Sequence, residues 1–369
     1  MPNWDKDISK AMSTMHAQWS AAKTYIKKKL GIQNSISIMP FWSYGTPDTL
    51  YLQGRVLKDE GIALQEENAP LWENILNMYR RFETDELPGV EVRLSVGEQQ
   101  HLVTTDQKGF FKTELQLDQH LGSDRLWHPV QVELSSDKYS HRFETTIGEV
   151  IVVSEQAEFG IISDIDDTIV HTAANQLFKM IYLAYLGNER TRRPFAGVSQ
   201  FYEGLQQGAS GEAGNPIFYV SSSAWNMYDL FAKFMNLNQI PQGPILLRGI
   251  ELSLSNLLSF DHESHKLEHI RPILERFPDL NFVLIGDTGQ KDAEIYHRVA
   301  QEYPGRILAI YLRDVTPQDG DRQKYLESLG ASLHQQGIEF LAFPHTMKAA
   351  HHAAKQGWIS KSTLDQILW

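Results

Sequence analysis

Between about Ile36 and Val153 the chain alternates apolar and polar residues in short runs: 50–56 (LYLQGRV), 90–96 (VEVRLSV), 110–115 (FFKTEL), 130–134 (VQVEL) and 143–147. Turn residues punctuate the runs at Gly97, 106–109 and 135–137. A period of two places alternate side chains on opposite faces, so these runs predict strands, and their spacing predicts a β-sandwich-like unit. One helix interrupts it: Asn68 caps, Pro70 sits in the first turn, and Leu71, Ile75, Tyr79 and Phe82 share a face. From Phe159 the period changes. Five compact apolar runs, 159–163, 217–220, 244–247, 281–285 and 307–312, alternate with amphipathic stretches near 224–236, 264–277 and 290–303. That alternation predicts an α/β fold with a doubly wound parallel sheet. A helix (322–337), a strand (338–343) and a second helix (346–356) are predicted to follow. Residues 1–30 read as a helix ending in KTYIKKKL, with Gly31 as its stop. The expected organisation is therefore an N-terminal helix (1–31), a β-sandwich-like domain (32–155), and an α/β domain with a C-terminal helical extension (156–369).

Composition narrows the function. A chain of 369 residues exceeds what one core usually organises. Cysteine is absent, which removes disulfides, thiolate metal sites and cysteine nucleophiles. No apolar run reaches the ~18 residues of a membrane span, and the N-terminus lacks the apolar core of a signal peptide. A cytoplasmic protein is the expectation. Lys27, Lys28 and Lys29 raise a second reading, peripheral contact with an anionic membrane, although cations at a solvated helix end explain them more simply. The formal net charge of −12 argues against nucleic acid as a partner.

The chemistry concentrates at strand ends. The run at 159–163 stops at Asp164-Ile165-Asp166-Asp167-Thr168, the second run ends at Ser221-Ser222-Ser223, and the fourth ends at Gly286-Asp287, with Asp292 just beyond. In open parallel sheets ligands gather outside the carboxyl ends of strands. Three carboxylates this close repel one another unless a cation or a reaction uses them. Phosphoryl transfer through a carboxylate nucleophile suits the set. Asp164 would attack. Asp166 would be the general acid and then the base, kept partly protonated by its neighbours Asp164 and Asp167. Asp164 and Asp287 would hold Mg²⁺, with Asp292 as a direct or water-mediated ligand. Ser221 would bond the transferring phosphoryl group, Lys266 would offset charge, and Thr168 would brace the acidic loop. Ser222, Arg192, Arg193 and Arg248 are the candidates for substrate contacts. His265, Glu268 and His269 spell HxxEH, a zinc-peptidase pattern. With no third ligand in view, surface histidines on the helix are the preferred reading.

The ordered set DIDDT, FYVSSS, Lys266 and GDTGQKD resembles the haloacid dehalogenase superfamily of phosphohydrolases. More narrowly, SDIDDTIVHT, PILLR, SHKLEHIRPIL and FVLIGDTGQKDAEIY resemble the Mg²⁺-dependent phosphatidate phosphatases first known from yeast actin patches. SYGT (43–46), GRVL (54–57) and FPHTMKAAHHAAKQGWI extend the likeness beyond that stretch. The resemblance implies a haloacid dehalogenase-type phosphatase domain with nucleophile Asp164 and acid/base Asp166. It also implies roles for Ser221 and Lys266, metal ligands Asp287 and Asp292, and a metal contact from the Asp166 carbonyl. The implied substrate is phosphatidate, met at a membrane surface. Two other readings stay open: the same chemistry on a soluble phosphomonoester, and a non-catalytic lipid- or protein-binding module.

Overall fold

Two hydrogen-bonded sheets account for the strands in a computed structural model that describes residues 35–59, 87–122, 125–135, 145–169, 195–248 and 262–367. The helices expected at 1–30 and 68–82 lie outside the described residues, as do Arg192 and Arg193.

The first sheet has eight strands: β1 (Ser35–Pro40), β2 (Ser43–Gly45), β3 (Thr49–Asp59), β4 (Glu91–Val96), β5 (Gln99–Thr104), β6 (Phe110–Gln116), β7 (Trp127–Leu134) and β8 (Thr146–Val152). Its order is β1-β3-β2-β8-β7-β4-β5, with β6 on β3. Pairing is antiparallel except between β2 and β8. The alternation read in the sequence becomes an inward row of Leu50, Leu52, Val92, Leu94, Phe111, Leu115, Val130 and Val132. The sheet curls until its distant strands meet through side chains. His101 of β5 and Thr113 of β6 are hydrogen-bonded at 2.9 Å, and Gln99 Nε2 donates to Gln116 O at 2.8 Å.

The second sheet is wholly parallel, in the order β11-β10-β9-β12-β13-β14. Its strands are β9 (Gly160–Ser163), β10 (Ile217–Ala224), β11 (Ile245–Arg248), β12 (Phe282–Asp287), β13 (Ile307–Arg313) and β14 (Glu339–Phe343). Helices α1 (Val198–Gln207), α2 (Tyr228–Leu237), α3 (His262–Arg276), α4 (Asp292–Glu302), α5 (Gly320–Gln335), α6 (Thr346–Gln356) and α7 (Lys361–Ile367) cover both faces. On one face Ile161, Tyr219, Val283, Ile285 and Tyr311 meet α1, α2 and α6 through Phe201, Leu205, Phe231, Met235, Ala349 and Ala353. On the other, Ile162, Phe218, Leu284, Ile310 and Leu312 meet α3, α4 and α5 through Ile270, Leu274, Tyr296, Val299 and Leu329. Strands buried on both faces read as continuous apolar runs, which is why periodicity located them. The chain is thus a mixed α/β protein containing a parallel sheet. The strand expected at 338–343 joins β13 as a sixth member. Helix α1 was not anticipated, although Val198, Phe201, Tyr202 and Leu205 have helical spacing and are buried. No helix among the described residues is long and apolar enough to cross a membrane.

Candidate active site

At the carboxyl edge of β9 the strand gives way to the acidic loop. Asp164 N still donates to Ile285 O of β12 at 2.8 Å, so the Asp164 carboxylate leaves the last ordered rung of the sheet. One residue back, Ser163 Oγ donates to Asp164 O at 2.7 Å and therefore accepts from Tyr202 OH at 2.6 Å. Asp167 adopts φ 56°, a left-handed conformation that aspartate tolerates better than most residues. The chain turns there, and Thr168 Oγ1 comes back to 3.3 Å from Asp164 Oδ2, a long hydrogen bond. Arg313, buried at the end of β13, secures the same turn from behind. Its Nε donates to Thr168 O at 2.9 Å and its Nη2 to Thr346 Oγ1 at 3.0 Å. Its guanidinium lies 3.8 Å from the Phe195 ring centre.

Lys266 enters from the first half of α3 and is 2 % exposed. Its Nζ donates to Asp164 Oδ1 at 2.7 Å and also to Asp292 Oδ1. Burial opposes the charge on Lys266, but the Asp164 and Asp292 carboxylates outweigh it and raise its pKa, so the ammonium persists. Asp292 opens α4, and its Oδ2 accepts from Asp287 N at 3.1 Å. That approach depends on Gly286, because a Cβ there would lie 2.4 Å from Asp292 Oδ2. Asp287 ends β12, and its Oδ1 accepts from Gly289 N (2.6 Å) and Gln290 N (2.8 Å). Its Oδ2 is buried without a hydrogen-bond partner. Carboxylate oxygens of Asp164, Asp287 and Asp292 lie within 4.8 Å of one another, the group that meets metal-holding spacing among the described residues.

Asp166 points elsewhere. Its Oδ2 accepts from Ser221 Oγ at 2.7 Å and Ser223 Oγ at 3.0 Å, while its Oδ1 is buried and unpartnered. Burial is the main force raising the pKa of Asp166, the two serine hydrogen bonds oppose it, and Asp167 adds a smaller upward push. The interior, more than the carboxylate neighbours expected from the sequence, supplies this effect. Burial likewise dominates at Asp164, whose pKa is raised well above the usual carboxylate range despite Lys266. At Asp287 burial, then Asp292, push the value up to about 7.

The structure thus brings together Asp164, Asp166, Thr168, Ser221, Lys266, Asp287 and Asp292 from four separate stretches of chain. Ser221 was expected to face a phosphoryl group; here its hydroxyl is engaged by Asp166. Ser222 Oγ is buried without a partner beside it. Arg248 sits partly buried at the end of β11, where burial lowers its pKa. His265 and His269 share a face of α3, rings edge to face at 4.6 Å, and both are partly buried. His269 is held neutral, its pKa lowered to about 3 by burial first and His265 next. Sequence reasoning missed Arg313 and Arg322. Arg322 of α5 donates to Thr288 O (2.9 Å) and Gln290 O (3.0 Å), fixing the loop whose amides hold Asp287. Only long-range contact marks either arginine, so no local pattern announced them.

Four buried carboxyl groups and one ammonium occupy this edge. Without a further cation or bound protons, the excess negative charge is costly. The unpartnered Asp287 Oδ2, with the grouped Asp164 and Asp292, makes a donor set suited to a hard, oxygen-seeking divalent cation.

Phosphatidate phosphatase APP1 of Saccharomyces cerevisiae is 29% identical over 187 residues, covering 50% of this chain and 31% of that protein. An uncharacterised protein of Schizosaccharomyces pombe is 26% identical over 214 residues, covering 58% of this chain and 34% of that one. The chain therefore spans about a third of the length of these relatives. Among solved structures, a carbohydrate acetylesterase from Xanthomonas citri aligns at 11% identity with a TM-score of 0.33, over 84% of this chain and 68% of that one, too weakly to carry an argument. Residues 159–314, the stretch that holds the whole acidic centre, match the family described as Phosphatidate phosphatase APP1, catalytic domain.

Proposed function

We propose that the chain is a Mg²⁺-dependent phosphomonoesterase of haloacid dehalogenase type that converts phosphatidate to diacylglycerol and phosphate. In this reading the parallel sheet is the doubly wound sheet of that superfamily, and the first sheet is a sandwich-like domain before it. The observation that carries the proposal is the meeting of Asp164, Lys266, Asp287 and Asp292 within bonding or metal-holding distance, with Asp287 Oδ2 left open. The match of residues 159–314 to a phosphatidate phosphatase catalytic domain supports the substrate class.

Asp164 supplies the nucleophile. One carboxylate oxygen forms a bond to phosphorus as the ester P–O bond breaks, leaving an acyl phosphate on Asp164 and an alkoxide. Asp166 hands that alkoxide a proton. Its Oδ2 already accepts two serine hydroxyls, so the proton belongs on Oδ1. Asp166 then takes a proton from water, whose oxygen attacks the acyl phosphate and restores Asp164. Lys266 opposes the burial that raises the Asp164 pKa and faces the charge that develops beside it. Asp164, Asp287 and Asp292, with the Asp166 carbonyl, would hold Mg²⁺. When bound, the ion supplies Lewis-acid neutralisation of phosphate charge. In a chain of net charge −12 that local positive charge also makes approach by an anionic substrate feasible.

The test is phosphate release from phosphatidate in mixed micelles, with Mg²⁺ and with EDTA. A panel of sugar phosphates, nucleotides and a phosphoprotein is run beside it. Turnover of phosphatidate that EDTA abolishes is the expected result. Turnover confined to a soluble panel member would move the substrate and keep the chemistry. Equal rates in EDTA would remove the metal.

A further inference from the structure

The serines that hold Asp166 are poorly secured by their own strand. The pairing of β10 with β11 shifts register between Ser221 and Ala224, so the regular ladder lapses where the hydroxyls are needed. Ser223 N bonds to Ser221 Oγ at 3.0 Å, which ties the loop to itself alone. The residues that follow are anchored from a different part of the molecule. Trp225 is 6 % exposed and lies under the guanidinium of Arg55, 3.7 Å from its carbon to the ring centre. Phe110 packs edge-on against Trp225 at 5.6 Å and also lies under Arg55 at 4.7 Å. Arg55, in β3, is itself buried, and its Nε donates to Lys108 O at 2.9 Å. The residue before it must be glycine: a Cβ on Gly54 would fall 2.4 Å from Phe111 and 2.7 Å from Met39 O, so only glycine lets β1 and β6 close on this segment. Three residues beyond Trp225, the Tyr228 hydroxyl accepts Trp42 N–H at 2.5 Å, and the Tyr228 ring sits 4.4 Å from that of Phe41.

We propose that Arg55 is a positioning residue for the site: by its stack on Trp225, the first sheet holds the Ser221–Ser223 loop and, through it, the Asp166 carboxylate. The first sheet is then part of the catalytic unit. A buried guanidinium suits the task because its plane stacks on indole while its edge donates to backbone, and an ammonium cannot do both. The inference deepens the phosphatase reading and rests on it for its kinetic arm. Small misplacements of a reacting group cost up to about a hundredfold in rate, so a prop two residues from the serine loop has leverage.

The experiment uses the full chain with Arg55→Lys and, approaching the same contact from the other side, Trp225→Phe. Hydrogen exchange over 217–228 is measured by mass spectrometry, and phosphate release is measured alone and with Ser223→Ala. We expect faster exchange in 217–228. We also expect kcat to fall about tenfold to a hundredfold while KM stays within about threefold, because the defect lies in placing Asp166 and not in holding substrate. The loss should shrink in the Ser223→Ala background, since both changes act on one hydrogen-bonded unit. Unchanged exchange in 217–228, or losses that multiply independently of Ser223, would overturn the proposal. If Arg55→Lys does not fold, Trp225→Phe decides on the same criteria. If the wild-type chain releases phosphate from no member of the panel, the phosphatase reading fails, and the exchange measurement alone still decides whether Arg55 holds the serine loop.

Discussion

Buried polar groups in the first sheet pair mainly with backbone; those at the carboxyl edge of the second sheet pair mainly with one another. Ser43 Oγ donates to Phe41 O and accepts Gln53 N. Thr105 Oγ1 donates to Leu87 O and accepts Val90 N, and His128 Nε2 contacts Arg125 O. Such bonds fasten turns and leave the residue nothing further to do. At the second sheet's edge Lys266 bridges two carboxylates, Asp166 gathers two serines, and two carboxylate oxygens have no partner. The contrast separates polarity that closes a fold from polarity that is kept available for a reaction.

The contrast can be broken at several points. The largest effect belongs to Asp164→Asn, which keeps the shape and removes the attacking charge. Turnover should drop by roughly three orders of magnitude or more, the scale for losing a nucleophile, in a phosphate-release assay. Near-normal turnover would return Asp164 to a structural role.

Lys266→Met comes next. It leaves Asp164 and Asp292 buried without their shared cation, a change that costs about 3–5 kcal/mol when one member of a buried pair is removed. Urea unfolding in EDTA should show that loss. Added Mg²⁺ should recover part of it, because an ion bound at the same carboxylates favours the folded state. An unshifted midpoint would mean that the three groups do not depend on one another.

Leu50→Ala tests the other side of the contrast. Leu50 is fully buried in the first sheet's core and away from the Arg55 contacts. It should lower stability by about 2–5 kcal/mol while the folded fraction keeps its kcat. A large fall in kcat would show that general softening of that sheet, and not the Arg55 contact, reaches the site.

The smallest effect is pH-dependent. His269 is kept neutral in the folded chain, its pKa lowered to about 3, with His265 and Lys112 as its nearby positive or ionisable neighbours. Unfolding restores the usual value near 6.5. The unfolded state therefore binds the extra proton between about pH 6.5 and 3, and stability falls as pH drops through that window. Asp287 acts oppositely. Its carboxyl, raised to about 7, favours folding below the ordinary carboxylate range, and that contribution fades as pH rises through 7. The difference between wild type and His269→Gln isolates the histidine. It should narrow by about 2–3 kcal/mol between pH 7 and 4.5, measured by urea unfolding. A difference constant with pH would contradict the buried neutral ring.

Much of this was legible in the sequence for a physical reason. Strands buried on both faces must be apolar throughout, so β9, β10, β12 and β13 stood out, and a carboxylate or hydroxyl closing such a run is conspicuous. Asp164, Ser221 and Asp287 were found that way. Strand β5 was not: Gln99 to Thr104 carries polar residues on both faces at the rim of the curled sheet, where burial exerts little selection on sequence. Arg313 and Arg322 act on carbonyls far along the chain, and the Arg55–Trp225 stack joins β3 of one sheet to the turn that follows β10 of the other. A guanidinium on a ring leaves no periodic trace in either partner's neighbourhood.

The most direct test is chemical trapping during turnover. Phosphatidate and Mg²⁺ are mixed with the chain, the reaction is quenched with borohydride, and the peptide containing Asp164 is sequenced by mass spectrometry. The account predicts reduction of the Asp164 side chain to homoserine only when substrate is present, since the reagent reduces an acyl phosphate and leaves a free carboxylate intact. Active enzyme whose Asp164 stays unreduced, with the reduction found at another acidic residue, would contradict it.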